Sequence, residues 1–117
     1  MFEKNMKVSL LLDFYGEILS ERRREIIEMY YNEDLSLSEI AEITGITRQG
    51  VRDSVKKSEA ELLDLEKTLG LAERFQNVKD QIYRITAELD EAIKQEDDND
   101  VIAILRNIKD SLDKLDI

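Results

Sequence analysis

The sequence predicts an all-α protein, built as a helix-turn-helix domain with a long recognition helix and a C-terminal helical extension. Three observations lead there. The 117 residues include no proline and only four glycines. Apolar residues recur along most of the chain with the roughly 3.6-residue period of a helix, and strand signals are absent. Between Ser36 and Ser58 the sequence carries the start, turn and second start that two short crossing helices need.

The elements follow in order. Met6 to Leu19 reads as a first helix with Leu10, Leu11, Phe14 and Ile18 on its buried stripe. Gly16 within it either weakens the helix by about 1 kcal/mol relative to alanine or marks a close packing contact. Ser20 is placed to cap a second helix, Glu21 to Tyr31, that buries Ile26, Ile27 and Tyr30 or Tyr31. Its Arg22, Arg23 and Arg24 are either phosphate contacts or a solvated face paired at helical spacing with Glu25 and Glu28. Asn32, Glu33 and Asp34 form a loop. Ser36 and Glu39 then make an S-x-x-E capping box, in which each side chain satisfies a backbone N–H of the other. On the short helix that follows, Ile40 and Ile43 are expected to face inward, with Ala41 where a larger side chain would push the paired helices apart. Gly45 falls where the chain must turn at positive φ, which only glycine does without strain.

Thr47 can cap the second short helix, with Ile46, Val51 and Val55 facing the first. That leaves Arg48, Gln49, Arg52 and Lys56 on the outer face. Arginine can bridge guanine O6 and N7, glutamine can pair with adenine N6 and N7, and Lys56 or Lys57 can neutralise a phosphate. The candidate DNA-binding set is therefore Thr47, Arg48, Gln49, Arg52, Lys56 and Lys57. Between Thr44 and Ser58 the only acidic residue is Asp53. An ordinary helical hairpin with a glycine turn is the plainer reading of the same spacing, and such a unit can also dock on protein instead of DNA.

Beyond the turn, Val51, Val55, Leu62, Leu65 and Leu69 step by four and three as a heptad seam, with polar Ser58 in its vacant place. The recognition helix is thus expected to run to about Leu69, closing a helix-turn-helix domain over residues 1–69. Gly70 breaks the phase. Phe75, Val78, Ile82, Ile85, Leu89 and Ala92 make a second seam in the extension, residues 70–117. Gln95 to Asp100 is a polar break in which Asp98, Asn99 or Asp100 can cap a last helix carrying Val101, Ile104, Leu105, Ile108, Leu112 and Leu115. This is more apolar surface than a small three-helix unit buries. It predicts a homodimer, against the alternative that the tail folds back on its own domain.

Composition narrows the function classes. The net charge of −10 argues against a general polyanion binder. The charge is uneven, however: residues 1–58 hold nine basic and eleven acidic residues, and residues 59–117 eight and sixteen. A basic helix can still dock on DNA if the acidic half points away, because the Debye length is about 8 Å at physiological salt. There is no cysteine and no histidine, which removes disulfides, thiolate sites and the usual zinc ligand and neutral-pH base, and suits a reducing cytoplasm. No Gly-rich phosphate loop or nucleophile–base set can be assembled, so no enzymatic activity and no cofactor are expected. Asp97, Asp98 and Asp100 lack the glycine and the closing glutamate of a calcium loop and read as linker and helix cap. No apolar run approaches the roughly 20 residues of a bilayer span, so no membrane partner is expected.

The run LSERRREIIEMYYNEDLSLSEIAEITGITRQGVRDSVKKSEAELL resembles region 4 of sigma factors and, more closely, the YlxM family of small bacterial helix-turn-helix proteins. The residues that carry the likeness are DFYGEILS at Asp13 to Ser20, MYYNEDLSLSEIAE at Met29 to Glu42, and TRQGVRD at Thr47 to Asp53, and they cover about residues 6–70. The resemblance implies a dimeric cytoplasmic protein whose gene lies beside those of the signal recognition particle and its receptor, and which regulates or assists that pathway. Two functional classes follow: a regulator that reads double-stranded DNA, or a factor that docks on signal recognition particle components without sequence-specific DNA binding. Members commonly carry Ala and then Val-Tyr-Asp after the Arg-Gln pair, where this chain has Gly50, Val51, Arg52 and Asp53.

Overall fold

The computed structural model describes residues 4–115, and among them the secondary structure is entirely helical. In order come α1 (Met6–Tyr15), a 3-10 turn (Gly16–Ile18), α2 (Glu21–Tyr31), α3 (Leu37–Thr44), α4 (Arg48–Leu69), α5 (Leu71–Gln95) and α6 (Asn99–Asp113). The chain divides into two compact units with the boundary after Ala72.

The first unit has two apolar clusters that share α2 and α4. One gathers Val8, Leu11, Leu12, Tyr15 and Leu19 around Ile27 and Leu62; the other gathers Leu37 and Ile40 around Ile26, Tyr30, Val51 and Val55. The long α4 is the element common to both, so its two ends are held by different partners. Val51, Val55 and Leu62 are fully enclosed, and Ser58 fills its place in the seam completely buried.

Two expectations are corrected here. The first helix stops at Tyr15, not Leu19, and Leu10 and Ile18 are exposed while Val8, Leu12, Tyr15 and Leu19 are buried. The segment MKVSLLLDFY is apolar on most of its circumference, so two stripes compete and periodicity does not choose between them. The tighter 3-10 winding after Tyr15 then brings Leu19 inward and leaves Ile18 out. Ile43 is 62% exposed. The buried face of α3 is formed by Leu37, Ile40, Ala41 and Thr44, and at about 100° per residue position 43 lies well round from its centre.

Local chemistry sets the helix ends. Ser20, Ser36 and Thr47 cap α2, α3 and α4 through their hydroxyls, and the Ser36–Glu39 box is complete at 3.1 and 3.0 Å. Asn5 caps α1, and Asp98 caps α6 by accepting from Asp100 N at 2.9 Å. Helices α3 and α4 both end on a left-handed glycine, Gly45 at φ +77° and Gly70 at φ +64°. The leading amides of α5 have an unusual cap: Leu71 N donates to the Tyr15 hydroxyl at 3.1 Å and Ala72 N to Glu66 Oε1 at 3.0 Å. Tyr15 in turn donates to Glu66 Oε1 at 2.7 Å. Two turns earlier on α4, Glu59 accepts from Tyr31 of α2. Two buried carboxylates of α4 are thus each held by a tyrosine from another helix, and burial followed by the carboxylate hydrogen bond raises both phenol pKa values.

The second unit differs. From Glu73 to Leu115 no described residue is fully buried. Val78, Ile85, Ile104, Ile108 and Leu115 are exposed, and Phe75, Ile82, Leu89, Leu105 and Leu112 are half-buried. Lys109 Nζ bonds Asp90 Oδ1 at 2.6 Å, tying α6 to α5. No helix among the described residues is long and apolar enough to cross a membrane.

Candidate nucleic-acid interface

The geometry of the candidate site begins at its turn. Helix α3 ends when Gly45 N donates to Ala41 O at 2.9 Å with Gly45 left-handed, and the chain restarts as α4 after Thr47, whose hydroxyl accepts from Gly50 N at 3.0 Å. Val51 and Val55 of α4 pack into the cluster of Leu37, Ile40, Ile26 and Tyr30. Their burial fixes which side of α4 faces outward. Gln49, Arg52, Lys56 and Lys57 are exposed off that buried row, and Thr47 and Arg48 stand exposed at the helix start.

Arg48, Arg52 and Lys56 succeed one another at four-residue intervals and share one stripe of α4. Gln49 lies beside them with its amide nitrogen bonded to Asp53 Oδ1 at 2.9 Å, one turn on. A base edge would therefore have to compete with Asp53 for that amide. The Thr47 hydroxyl is committed to the cap, which leaves the residue mainly a structural part in starting the helix.

Gly50 sits inside this first turn in ordinary helical geometry. A Cβ there would lie 3.1 Å from the Thr47 hydroxyl oxygen and 3.8 Å from Ile46 Cδ1. The neighbour is the end of a short polar side chain, which can yield by a few tenths of an ångström.

The arginine run of α2 resolves into three different environments. Arg23 donates to Ser58 Oγ at 3.1 Å and to Glu61 Oε2 at 2.6 Å, bracing α4 from behind. Arg24 lies 3.9 Å from Glu28, the one arginine for which the paired-face reading applies. Arg22 donates to the Thr44 carbonyl at 3.0 Å, at the very end of α3. Sequence reasoning saw the vacancy at Ser58 but not its arginine: a polar residue in an apolar seam needs a buried partner, and that requirement was the available signal. It also missed Glu59 and Glu66, whose carboxylates look like solvated charges until the tyrosines that hold them are known.

At the α2–α3 loop, Asp34 takes a left-handed conformation at φ +59°. It is paired with Lys4, whose ammonium also lies 4.7 Å from the centre of the Tyr30 ring. The hydrogen bond and charge of Lys4 hold the Asp34 carboxyl below the usual range, and capping bonds to Ser36 do the same for Glu39. Among the described residues no group of three or more carboxylates is arranged to hold a metal ion.

A short helix and a long one joined through a left-handed glycine, the second capped by threonine and exposing Arg48, Arg52, Lys56 and Lys57, define a helix-turn-helix protein. Residues 2–109 match the family model described as "Putative helix-turn-helix protein, YlxM / p13 like". The chain belongs to this family, UPF0122, whose description names a helix-turn-helix and no catalytic activity. It is 37% identical over 110 residues to UPF0122 protein Teth514_1714 of Thermoanaerobacter sp. (strain X514), which covers 94% of each chain. It is 44% identical over 84 residues to a UPF0122 protein of Desulforamulus reducens, covering 72% of each. It is 47% identical over 78 residues to UPF0122 protein TTE1463 of Caldanaerobacter subterraneus subsp. tengcongensis, covering 67% of each.

Proposed function

We propose that this protein is a regulatory factor that binds double-stranded DNA through the outer face of α4, with residues 1–69 reading the duplex and residues 70–117 mediating association into a homodimer. The observation that carries the reading is the exposure of Arg48, Arg52 and Lys56 along one stripe of a helix that Val51 and Val55 anchor to the core. In this reading Arg48, Gln49 and Arg52 meet base edges, Lys56 and Lys57 meet phosphates, and Thr47 sets the angle at which the helix enters the groove. A two-fold dimer would present two such helices to half-sites about one helical turn apart. The exposed apolar residues of α5 and α6 favour that association.

The acidic extension also favours a second reading, in which the same chain docks on a basic ribonucleoprotein surface such as signal recognition particle components. Residues 59–117 carry twice as many acidic as basic residues.

A titration with duplex DNA separates the two. Arg48→Ala combined with Arg52→Ala is expected to abolish binding that is measurable in the wild type. Wild-type affinity should fall steeply between about 50 and 200 mM salt as counterions are released. Absence of duplex binding at low salt, together with capture of signal recognition particle components, would replace the first reading by the second. Sedimentation as a monomer at micromolar concentrations would remove the dimer.

A further inference from the structure

One cation outside the reading helix is placed to serve it. Of the three consecutive arginines on α2, Arg23 is committed to Ser58 and Glu61, and Arg24 neighbours Glu28. Arg22 is exposed, and its Nη2 donates to the carbonyl of Thr44 at 3.0 Å. Thr44 is the last residue of α3, and only Gly45, Ile46 and Thr47 separate it from Arg48. The guanidinium therefore stands at the turn of the bihelical unit, although it comes from a third helix.

Two physical facts give this position a use. The last carbonyls of a helix have no intrahelical partner and carry partial negative charge, so a cation held there is favourably placed and oriented. A guanidinium has five N–H donors in a rigid fork, and the bond to Thr44 accounts for one of them. When a helix-turn-helix seats its second helix in the major groove, the elements before that helix pass across the sugar–phosphate backbone. Such backbone contacts fix the register of the protein on the duplex.

We propose that Arg22 is a phosphate-contacting residue of the DNA interface: oriented by the Thr44 carbonyl, it clamps a backbone phosphate flanking the groove entered by Arg48, Gln49 and Arg52. The inference rests on the DNA-binding reading of α4 and adds to it a contact from α2. Arginine suits the task because its fork can keep one N–H on the carbonyl while offering others to phosphate oxygens, which an ammonium does less well. The contact is independent of sequence, so it contributes to affinity and register and not to base preference.

The test uses the full chain, mixed-sequence duplex DNA, and Arg22→Gln, Arg22→Lys and Arg22→Ala. Glutamine is neutral and shorter but keeps an N–H donor, whereas lysine keeps the charge without the fork. Each released phosphate contact contributes about one unit to the slope of log K against log salt. Arg22→Gln and Arg22→Ala are expected to lower that slope by about one unit, so that their deficit against wild type shrinks roughly three- to fourfold between about 50 and 200 mM salt. Arg22→Lys should keep the wild-type slope. A merely structural role would weaken binding or folding without changing the slope. Duplex binding that depends on Arg48 and Arg52 but has the same slope in wild type and Arg22→Gln overturns the assignment of Arg22 alone. A wild type that binds no duplex overturns the α4 reading and Arg22 with it.

Discussion

The two units of this chain are built from the same kind of amphipathic helix but finished to different degrees. Up to Ala72, apolar side chains close into two clusters in which Val8, Leu11, Ile27, Ile40, Val51, Val55 and Leu62 are wholly enclosed. The buried Ser58, Glu59 and Glu66 there are held by Arg23, Tyr31 and Tyr15. From Glu73 to Leu115 the apolar rows of α5 and α6 are half-buried or exposed, and a surface ion pair, Lys109 with Asp90, links the two helices. Helical periodicity alone therefore does not make a core. In the first unit α4 is fixed at several points along its length, whereas the second leaves its apolar rows open to solvent.

The largest expected difference comes from truncating one apolar residue in each unit. Leu62→Ala should lower the unfolding free energy by about 2–5 kcal/mol, because an enclosed leucine leaves a cavity. Ile104→Ala, at a side chain 59% exposed, should stay within about 0.5 kcal/mol. Urea unfolding of both variants checks this, and equal losses would erase the contrast between the units. In the proposed dimer, Ile104→Ala should instead weaken self-association.

A smaller effect is expected at the polar fastening of α4. Tyr15→Phe removes the acceptor for Leu71 N and a donor to Glu66 in a buried setting, which costs about 1–3 kcal/mol. The same group gives a pH dependence. Because burial and Glu66 raise the folded-state pKa of Tyr15, the neutral phenol's contribution is fully present below the unfolded value of about 10 and is lost as pH rises above it. Tyr31, raised by burial and Glu59, acts in the same direction. Thermal melts should therefore fall on going from neutral pH to above about 10, and less steeply in Tyr15→Phe than in wild type; identical alkaline profiles would contradict the assignment.

The smallest effect concerns Gly50. Alanine should stabilise the first turn of α4 by up to about 1 kcal/mol in helix propensity, reduced by the close approach to the Thr47 hydroxyl. A melting temperature lower than wild type would mean that the cap cannot yield.

How far the sequence reveals these features depends on the range of the interactions. The capping box at Ser36 and Glu39, the left-handed Gly45 and Gly70, and the Thr47 cap are set by residues within a few positions of one another, and they could be read directly. So could the anchored face of Val51 and Val55, because α4 is polar elsewhere in that stretch. The end of α1 could not, since Leu10 and Leu12 lie on competing stripes of a segment apolar nearly all round. The fates of Arg22, Arg23, Glu59 and Glu66 could not either: their partners lie 22 or more positions away, except for the α5 amide that Glu66 caps, and a charged residue at helical spacing looks the same solvated or braced. Periodicity leaves Arg48, Gln49, Arg52, Lys56 and Lys57 off the Val51–Val55 row, but it does not reveal that the Gln49 amide is held by Asp53.

The central claim is that the outer face of α4 meets duplex DNA. Its most direct test is to follow the backbone amide resonances of the nitrogen-labelled full chain while mixed-sequence duplex DNA is added at low salt. The account predicts shifts concentrated at Arg22 and from Thr44 through Lys57, with Glu73 to Leu115 little changed. Shifts confined to the acidic helices, or none at all, would contradict it.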